Sequence, residues 1–200
     1  MGFTELNSVE HYIIHQMTGV NLNDAQVNNQ VNEPHGQYAL QWQFKSPEQL
    51  SRGVNEVLVE SELVKALIRL NPEIEANPNL ADEVIHKLRA ILISVNQVGL
   101  VKANEEFFAW MTTRNNYVVT NQFRIHHRET KIPDVVLMIN GIPVVVGEAK
   151  TPIRPSVTWL DGAHEVHSIY ENAVPQLFVP NILSFATEGR ELFYGAIRCP

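Results

Sequence analysis

One stretch, residues 133–150, constrains the fold more than any other part of the chain. Two runs rich in Val and Ile flank the dipeptide Asn140-Gly141, which is the strongest short signal for a β-hairpin. Neither run alternates with polar residues, so we expect both faces of these strands to be covered, in the middle of a sheet. Charged residues interrupt this apolar block only at the end far from the turn: Asp134, Glu148 and Lys150.

Strand geometry decides whether these three charges can meet. Glu148 and Lys150 are separated by one residue and therefore share a face. A two-residue Asn-Gly loop would pair Asp134 with Gly147 and put the two acids on opposite faces. A three-residue loop would bring them to one face, with Asp134 opposite Val146 or opposite Glu148, depending on which three residues form the loop. Because three-residue loops containing Gly are common, we predict one here.

Carboxylates at this position indicate a particular chemistry. Two neighbouring carboxylates repel each other as anions, and a divalent cation relieves that repulsion. Hard oxygen ligands on few protein atoms suit Mg²⁺, which keeps waters and takes phosphate oxygens of a substrate. A lysine beside the metal can orient or deprotonate a water, or stabilise developing charge. The pattern therefore indicates a metal-dependent phosphodiesterase site; the alternative is an ordinary hairpin whose end carries solvated charges and an ion pair.

The spacing Pro-Asp-x13-Glu-x-Lys across such a hairpin resembles the signature of the PD-(D/E)xK nuclease superfamily. More narrowly, three segments are similar in sequence to the restriction (R, motor) subunit of type I restriction–modification enzymes: residues 133–150, residues 179–189 and the helical segment 56–74. The resemblance covers most of residues 55–198 and is weak over residues 1–50.

The resemblance implies a site and a reaction, namely Mg²⁺-dependent endonucleolytic cleavage of duplex DNA. Asp134 and Glu148 would bind the metal together with the backbone carbonyl of Ala149, and Lys150 would position or activate the attacking water. In this superfamily an acidic residue on the first helix often approaches the metal, so Glu10 is a candidate third carboxylate. The alternative for that residue is an ordinary solvated helix glutamate.

The resemblance also implies partners. A separate specificity subunit would read the DNA sequence, a methyltransferase subunit would use S-adenosylmethionine, and a motor in the same chain would hydrolyse ATP. This stretch contains no Gly-x-x-x-x-Gly-Lys-Ser/Thr, so we expect no Walker-type ATP site in it. We interpret residues 1–200 as a single nuclease domain of the bacterial cytoplasm, a fragment of a longer chain whose motor is absent. The rival interpretation is a non-catalytic module that keeps the fold for docking or for sensing DNA ends.

Net charge bears on how such a domain would hold DNA. The chain carries a formal charge of −7, whereas a free-standing nonspecific DNA binder usually has a basic surface. We therefore expect most of the grip on DNA to come from other modules. The candidates for local phosphate contact are arginines near the motif: Arg124, Arg128 and Arg154.

Other functional classes receive less support. His126 and His127 invite a zinc site, but adjacent strand residues point in opposite directions and no cysteine lies near them. Cys199 is the single cysteine, so an internal disulfide is excluded. The chain has no apolar run of about 18 residues and no basic–apolar leader, so we expect neither a membrane span nor export.

Hydrophobic periodicity predicts an α/β fold: a central mixed sheet of about five strands flanked by helices, with a helical N-terminal elaboration. The resemblance implies that this fold is restriction-endonuclease-like. The helices are predicted over residues 4–18, 60–70, 81–98, 104–111 and 161–172, and strands outside the hairpin over 38–44, 117–124, 181–187 and 192–197. Many nucleases of this superfamily carry Gln-x-x-x-Tyr on the last of these helices. The matching positions here are Glu165 and Ile169, with Tyr170 displaced by one residue, so the family pattern assigns them no clear role.

Overall fold

The computed structural model describes residues 9–22, 42–107, 115–151, 153 and 156–198. The strands in these ranges are β1 (Gln43–Phe44), β2 (Tyr117–Asn121), β3 (Ile125–His126), β4 (Thr130–Lys131), β5 (Val135–Ile139), β6 (Ile142–Ala149), β7 (Leu183–Thr187) and β8 (Leu192–Gly195). Within the described part of the chain, six of them form one mixed sheet in the order β1-β2-β5-β6-β7-β8, and β3 pairs with β4 in a separate small hairpin. The predicted α/β class is confirmed, with one strand more in the sheet than expected.

The α-helices of the described ranges are α1 (His11–Thr18), α2 (Glu60–Leu70), α3 (Pro72–Ala76), α4 (Asn79–Val98), α5 (Leu100–Phe107), α6 (Trp159–His164), α7 (Glu171–Ala173) and α8 (Pro175–Phe178), and a 3₁₀-helix spans Pro47–Gln49. A π-helical turn, Glu165–Tyr170, joins α6 to α7 without a break. The predicted helix at residues 104–111 begins earlier, because Asn104 lies inside α5 and its side chain donates to the carbonyls of Val179 and Asn181 rather than capping a helix. Most of the predicted loop at 20–37 and of the strand at 38–44 lies outside the described residues.

An apolar layer covers each face of the sheet. On one face, Val136, Met138 and Val146 pack in a large cluster with residues of α2, α4, α5 and α8. On the other face, α1 buries Ile14 against Val119 and Val135. The hairpin strands β5 and β6 therefore lie in the middle of the sheet, as their unbroken apolar runs predicted.

The turn of this hairpin differs from the prediction. Asn140 and Gly141 have φ angles of 54° and 81°, and Ile139 is opposite Ile142, so the loop has two residues and the predicted three-residue loop is wrong. A Cβ on Gly141 would lie 2.5 Å from the carbonyl oxygen of Val59, whose N–H donates to the Gly141 carbonyl at 2.8 Å. The tip of the hairpin is thus docked tightly onto the start of α2, where only glycine fits.

A β-bulge compensates for the shorter turn. Met138 is opposite Pro143, whereas the preceding residue Leu137 is opposite Val145. Val144 is therefore an extra residue in β6, and it shifts the pairing by one position. Because one position exchanges the two faces of a strand, the bulge has the same effect on the far end of the hairpin as the predicted three-residue loop.

Candidate active site

The bulge brings the charged end of the hairpin into register. Val135 pairs with Gly147, so Asp134 and Glu148 are the next opposed positions. The carboxylate of Asp134 accepts two hydrogen bonds, at 2.8 Å from the backbone N–H of Ala149 and at 3.0 Å from the side-chain amide of Gln122. The structure therefore brings together the hairpin residues singled out from the sequence, although through a different turn.

Lys150 lies between two carboxylates. Its ammonium donates to Glu148 Oε1 at 2.8 Å and also to Glu165 Oε2. The hydroxyl of Tyr170 lies 3.2 Å from Glu148 Oε2 and 3.2 Å from Glu165 Oε1, so its single hydrogen is shared between two acceptors. The side chains of Glu148 and Lys150 are only 5% and 13% exposed, so this network is largely removed from solvent.

The helix that carries Glu165 approaches the sheet closely. Thr158 and Asp161 form a capping box that starts α6 at Trp159, two residues before the predicted start. A Cβ on Gly162 would lie 3.2 Å from the Cβ of Ala186 and 3.4 Å from Cγ of Glu148. The absence of a side chain at position 162 is what allows this helix to lie against the charged end of β6.

Glu10 reaches the same end of the sheet from the start of α1. Its Oε1 accepts from the Gln122 amide at 3.0 Å, and that amide also donates to Asp134. Glu10 is 1% exposed, so the alternative of a solvated glutamate is wrong. Its second carboxylate oxygen is buried without a hydrogen-bond partner, an unusual state for a native side chain.

Burial disfavours the charged forms of these acids. Burial raises the pKa of Glu148 to about 9, and the charge of Asp134 adds to this effect. Burial likewise raises the pKa of Glu10 to about 8, again reinforced by Asp134. The pKa of Asp134 is itself raised by burial, although its hydrogen bond from Ala149 opposes the shift. Three acids are thus held where a nearby cation would stabilise their anionic forms.

Lys150 and its second partner, Glu165, are instead held in their charged forms. Burial lowers the pKa of Lys150, but hydrogen bonds and charges of Glu148 and Glu165 outweigh burial and raise it above its ordinary value. For Glu165, Lys150 outweighs the effect of burial and lowers the pKa. Lys150 is therefore held firmly as an ammonium ion.

These residues fit a cation that brings most of its own ligands. In the part of the chain that the structure describes, no three His, Cys, Asp or Glu side chains form a ready-made metal cage. Mg²⁺, however, commonly takes only one or two carboxylates and fills its shell with waters and phosphate oxygens. The unpartnered oxygen of Glu10 and the disfavoured anions of Asp134 and Glu148 suit a site of that kind.

Comparison with known proteins places the chain in a family. The family model described as "Type I restriction enzyme R protein N terminus" matches residues 21–198. The chain belongs to this family. No solved structure matches it, and no helix in the described ranges is long and apolar enough to cross a membrane.

Two curated relatives agree with the R-protein family. The chain is 34% identical over 77 residues to the type I restriction enzyme HindI endonuclease subunit of Haemophilus influenzae, a match covering 38% of this chain and 7% of that subunit. It is 30% identical over 87 residues to a protein of Methanocaldococcus jannaschii provisionally named as the MjaIXP endonuclease subunit of a type I restriction enzyme, covering 42% and 8%. The chain therefore matches only a small part of the length of each relative.

Two of the three arginines predicted to contact DNA lie at the small β3–β4 hairpin of this R-protein chain. Arg124 and Arg128 are both exposed and lie before and within the β3–β4 hairpin. That hairpin leaves the sheet beside the site, because the N–H of Gln122 donates to the Asp134 carbonyl at 3.0 Å. Arg154 lies outside the described residues.

The two histidines of the same hairpin contact different partners. His126 Nδ1 lies 2.9 Å from Thr130 Oγ1, and His127 Nδ1 lies 2.7 Å from the Gln176 side chain. Together they do not form a ligand pair, which agrees with their adjacent positions along the chain.

Sequence analysis missed the roles of Glu165, Tyr170 and Gln122. Glu165 and Tyr170 are five positions apart, and in a π turn, where hydrogen bonds run from i to i+5, such residues lie on the same side. A family pattern displaced by one residue on a helix is the signal that could have found this turn. Gln122 carries no such signal: it stands just after β2 with a φ of 48°, a conformation that tertiary context imposes.

Proposed function

We propose that this chain is the nuclease module of a type I restriction enzyme R subunit and that it cleaves duplex DNA by Mg²⁺-dependent phosphodiester hydrolysis. Membership of the R-protein family supports the coarse assignment. The observation that carries the chemistry is the convergence of Asp134, Glu148 and Lys150 at one end of the central sheet, with Glu148 buried, Asp134 half-buried and the pKa values of both acids raised.

The acids would hold the metal in this proposal. Asp134, Glu148 and the backbone carbonyl of Ala149 are its proposed ligands, with Glu10 as a further carboxylate that contributes directly or through a water. When bound, the cation supplies a Lewis acid for the scissile phosphate and lowers the pKa of a bound water. The hydrogen bonds from Ala149 N–H and Gln122 keep the Asp134 carboxylate oriented before any cation arrives.

Lys150 would act as a charged group. Its raised pKa makes it a poor proton acceptor at neutral pH, so we assign it to positioning the attacking water and stabilising negative charge on the phosphate. The sequence left two roles open for Lys150, positioning or activating the attacking water, and the raised pKa favours positioning.

The proposed division of labour follows from charge. A domain with a formal charge of −7 attracts DNA poorly, so the motor of the same chain, which would bind ATP, and the specificity and methyltransferase subunits would hold the duplex in the bacterial cytoplasm. Arg124, Arg128 and Arg154 would add local phosphate contacts beside the scissile bond.

Cleavage by the assembled enzyme tests this proposal. We expect Asp134→Ala and Glu148→Ala each to abolish DNA cleavage while ATP hydrolysis stays largely intact, because the metal site and the motor are separate modules. Glu83→Ala, which removes an exposed carboxylate of α4, is the matched control and should cleave normally. Wild-type cleavage by either site variant would refute the assignment of ligands.

A metal titration separates the proposal from the rival docking module. We expect the wild-type chain to bind Mn²⁺, used in place of Mg²⁺, and the Asp134→Ala and Glu148→Ala variants to lose that binding. A docking module that merely keeps the fold would show no metal binding that depends on these carboxylates.

A further inference from the structure

The starting observation is the spacing of two residues on one helical segment. In a regular α-helix, residues five positions apart are rotated by about 140° from each other, since each residue adds roughly 100°. Glu165 and Tyr170 nevertheless contact each other, with the hydroxyl 3.2 Å from Glu165 Oε1. The π turn between them brings Glu165 and Tyr170 to the same side of the helix. Ile169, which lies four positions after Glu165 and would face the same side in a regular α-helix, is instead 39% exposed.

The second observation is that both oxygens of Glu148 already have protein partners. Oε1 accepts from Lys150 and Oε2 lies within hydrogen-bonding distance of Tyr170. A cation at Glu148 would therefore compete with the ammonium of Lys150 for the same carboxylate. Glu165 gives that ammonium a second anionic partner, so Lys150 can keep an ion pair when Glu148 turns to a metal.

We propose that the π turn is a positioning device for the metal site, in which the Tyr170 hydroxyl orients Glu148 and Glu165 holds Lys150 so that Glu148 can bind the cation. The inference rests on the proposed function, because it assigns both residues to the same metal-dependent nuclease site. Glu165 and Tyr170 act through Glu148 and Lys150 and are positioning residues.

If Tyr170 and Glu165 only packed against the core, changing their polar groups would not alter metal binding. Tyr170 is 4% exposed, and a phenylalanine would fill the same space without the hydroxyl. The Glu165 side chain is 33% exposed, so it contributes little to the core. A variant that changes metal affinity without changing the melting temperature therefore separates positioning from packing.

The test is Mn²⁺ binding by calorimetry on the whole 200-residue chain, with thermal melting measured in parallel. We expect Tyr170→Phe to melt normally and to weaken Mn²⁺ binding by about tenfold, the scale of one hydrogen bond to a charged group. Glu165→Leu should weaken binding by a similar or larger factor, and Glu165→Gln, which keeps an acceptor for Lys150, by less. Ser168→Ala, on the same turn, is the control.

A register swap tests the π turn itself. The double variant Ile169→Tyr with Tyr170→Phe moves the hydroxyl to the α-helical spacing, and we expect it to bind no better than Tyr170→Phe alone. Recovery of wild-type affinity by this variant would overturn the assigned register.

The remaining outcomes separate the two proposals. If Glu148→Ala abolishes Mn²⁺ binding while Tyr170→Phe and Glu165→Leu bind as the wild type does, the positioning role is refuted and the proposed function stands. If the wild-type chain binds no Mn²⁺, or Glu148→Ala binds it equally well, both proposals fail.

Discussion

The two ends of the β5–β6 hairpin use polar groups in opposite ways. At the turn, Asn140 is 9% exposed and its side chain accepts from the backbone N–H of Asn116 at 2.7 Å and donates to Asn115 at 2.9 Å. At the other end, Glu148 and Asp134 are held with raised pKa values. The polar side chain at the turn has hydrogen-bond partners for its donors and acceptors. The carboxylates at the open end are instead only partly neutralised by the protein itself.

Under the proposed function, the turn stabilises the fold and the open end carries the chemistry. A buried polar group with all its partners supports a unique fold, while a buried carboxylate with a raised pKa lowers stability at neutral pH. Buried groups that lower stability and have shifted pKa values are commonly found at functional sites. Substitutions at the turn should therefore change stability, and substitutions at the open end should change activity.

The largest effect is expected from Lys150→Met. Loss of the ammonium should reduce cleavage by the assembled enzyme by about 10²- to 10³-fold, the range for removing one group that stabilises developing negative charge. Lys65→Met is the control, because the exposed Lys65 pairs with Glu62, whose side chain reaches Asn116 beside the turn. Comparable losses in both variants would erase the contrast between the two ends.

The next effect is expected from Gly141→Ala at the turn. The φ of 81° and the 2.5 Å approach of the Val59 carbonyl both oppose a Cβ, so we expect the free energy of unfolding to fall by about 2–4 kcal/mol. Urea denaturation measures this loss, and Mn²⁺ affinity of the folded protein should be unchanged. Gly53→Ala has room at 3.6 Å and should be nearly neutral; equal losses in the two variants would contradict the docked turn.

A smaller effect concerns the dependence of stability on pH. The pKa of Glu148 is raised from its ordinary 4.5 to about 9 in the folded chain. Between these values the folded state binds more protons than the unfolded state, so this residue lowers stability as pH rises. Without metal, Glu148→Gln should therefore become more stable than the wild type by at least about 1 kcal/mol on going from pH 5 to pH 8.5.

Two controls accompany that measurement. Mn²⁺ should stabilise the wild type and not the Glu148→Gln variant, because ligands that bind the folded state add to its stability. Glu129→Gln removes an exposed carboxyl whose pKa is lowered below its ordinary value by Lys131. This carboxyl is ionised in both the folded and the unfolded state between pH 5 and pH 8.5, so the stability of the variant relative to the wild type should hardly change over that range. If the stability difference between Glu148→Gln and the wild type did not vary with pH, ionised Glu148 would not lower the free energy of unfolding.

The smallest effect is expected in DNA binding. The isolated chain should bind duplex DNA weakly, without sequence preference and with a shallow salt dependence, because phosphate contacts dominate nonspecific affinity and few are available. Arg124→Ala and Arg128→Ala should each reduce the salt slope by about one, measured with Ca²⁺ in place of Mg²⁺. Arg89→Ala, which breaks a distant ion pair with Glu60, is the control; tight, sequence-selective binding would move recognition into this domain.

Much of the architecture could be predicted because it follows from local patterns. The five-residue apolar run of β5 and the amphipathic stripe of α4 carry the periods of a strand and a helix, and Asn140-Gly141 marks the turn. The motif residues were identified because aspartate, glutamate and lysine are rare in such apolar strands. Glu10 was named from the resemblance alone, and its convergence on Gln122 depends on contacts more than a hundred residues apart.

The sequence by itself therefore determined where the sheet lies, which hairpin is central and which charged residues stand at its end. Tertiary structure alone decided how those residues meet: the bulge at Val144 in β6 and the π turn Glu165–Tyr170 each shift one face by a single position. A one-residue shift changes neither composition nor average periodicity, and its local cost is small. Its benefit comes from packing and hydrogen bonds with distant elements, so only the complete fold selects it.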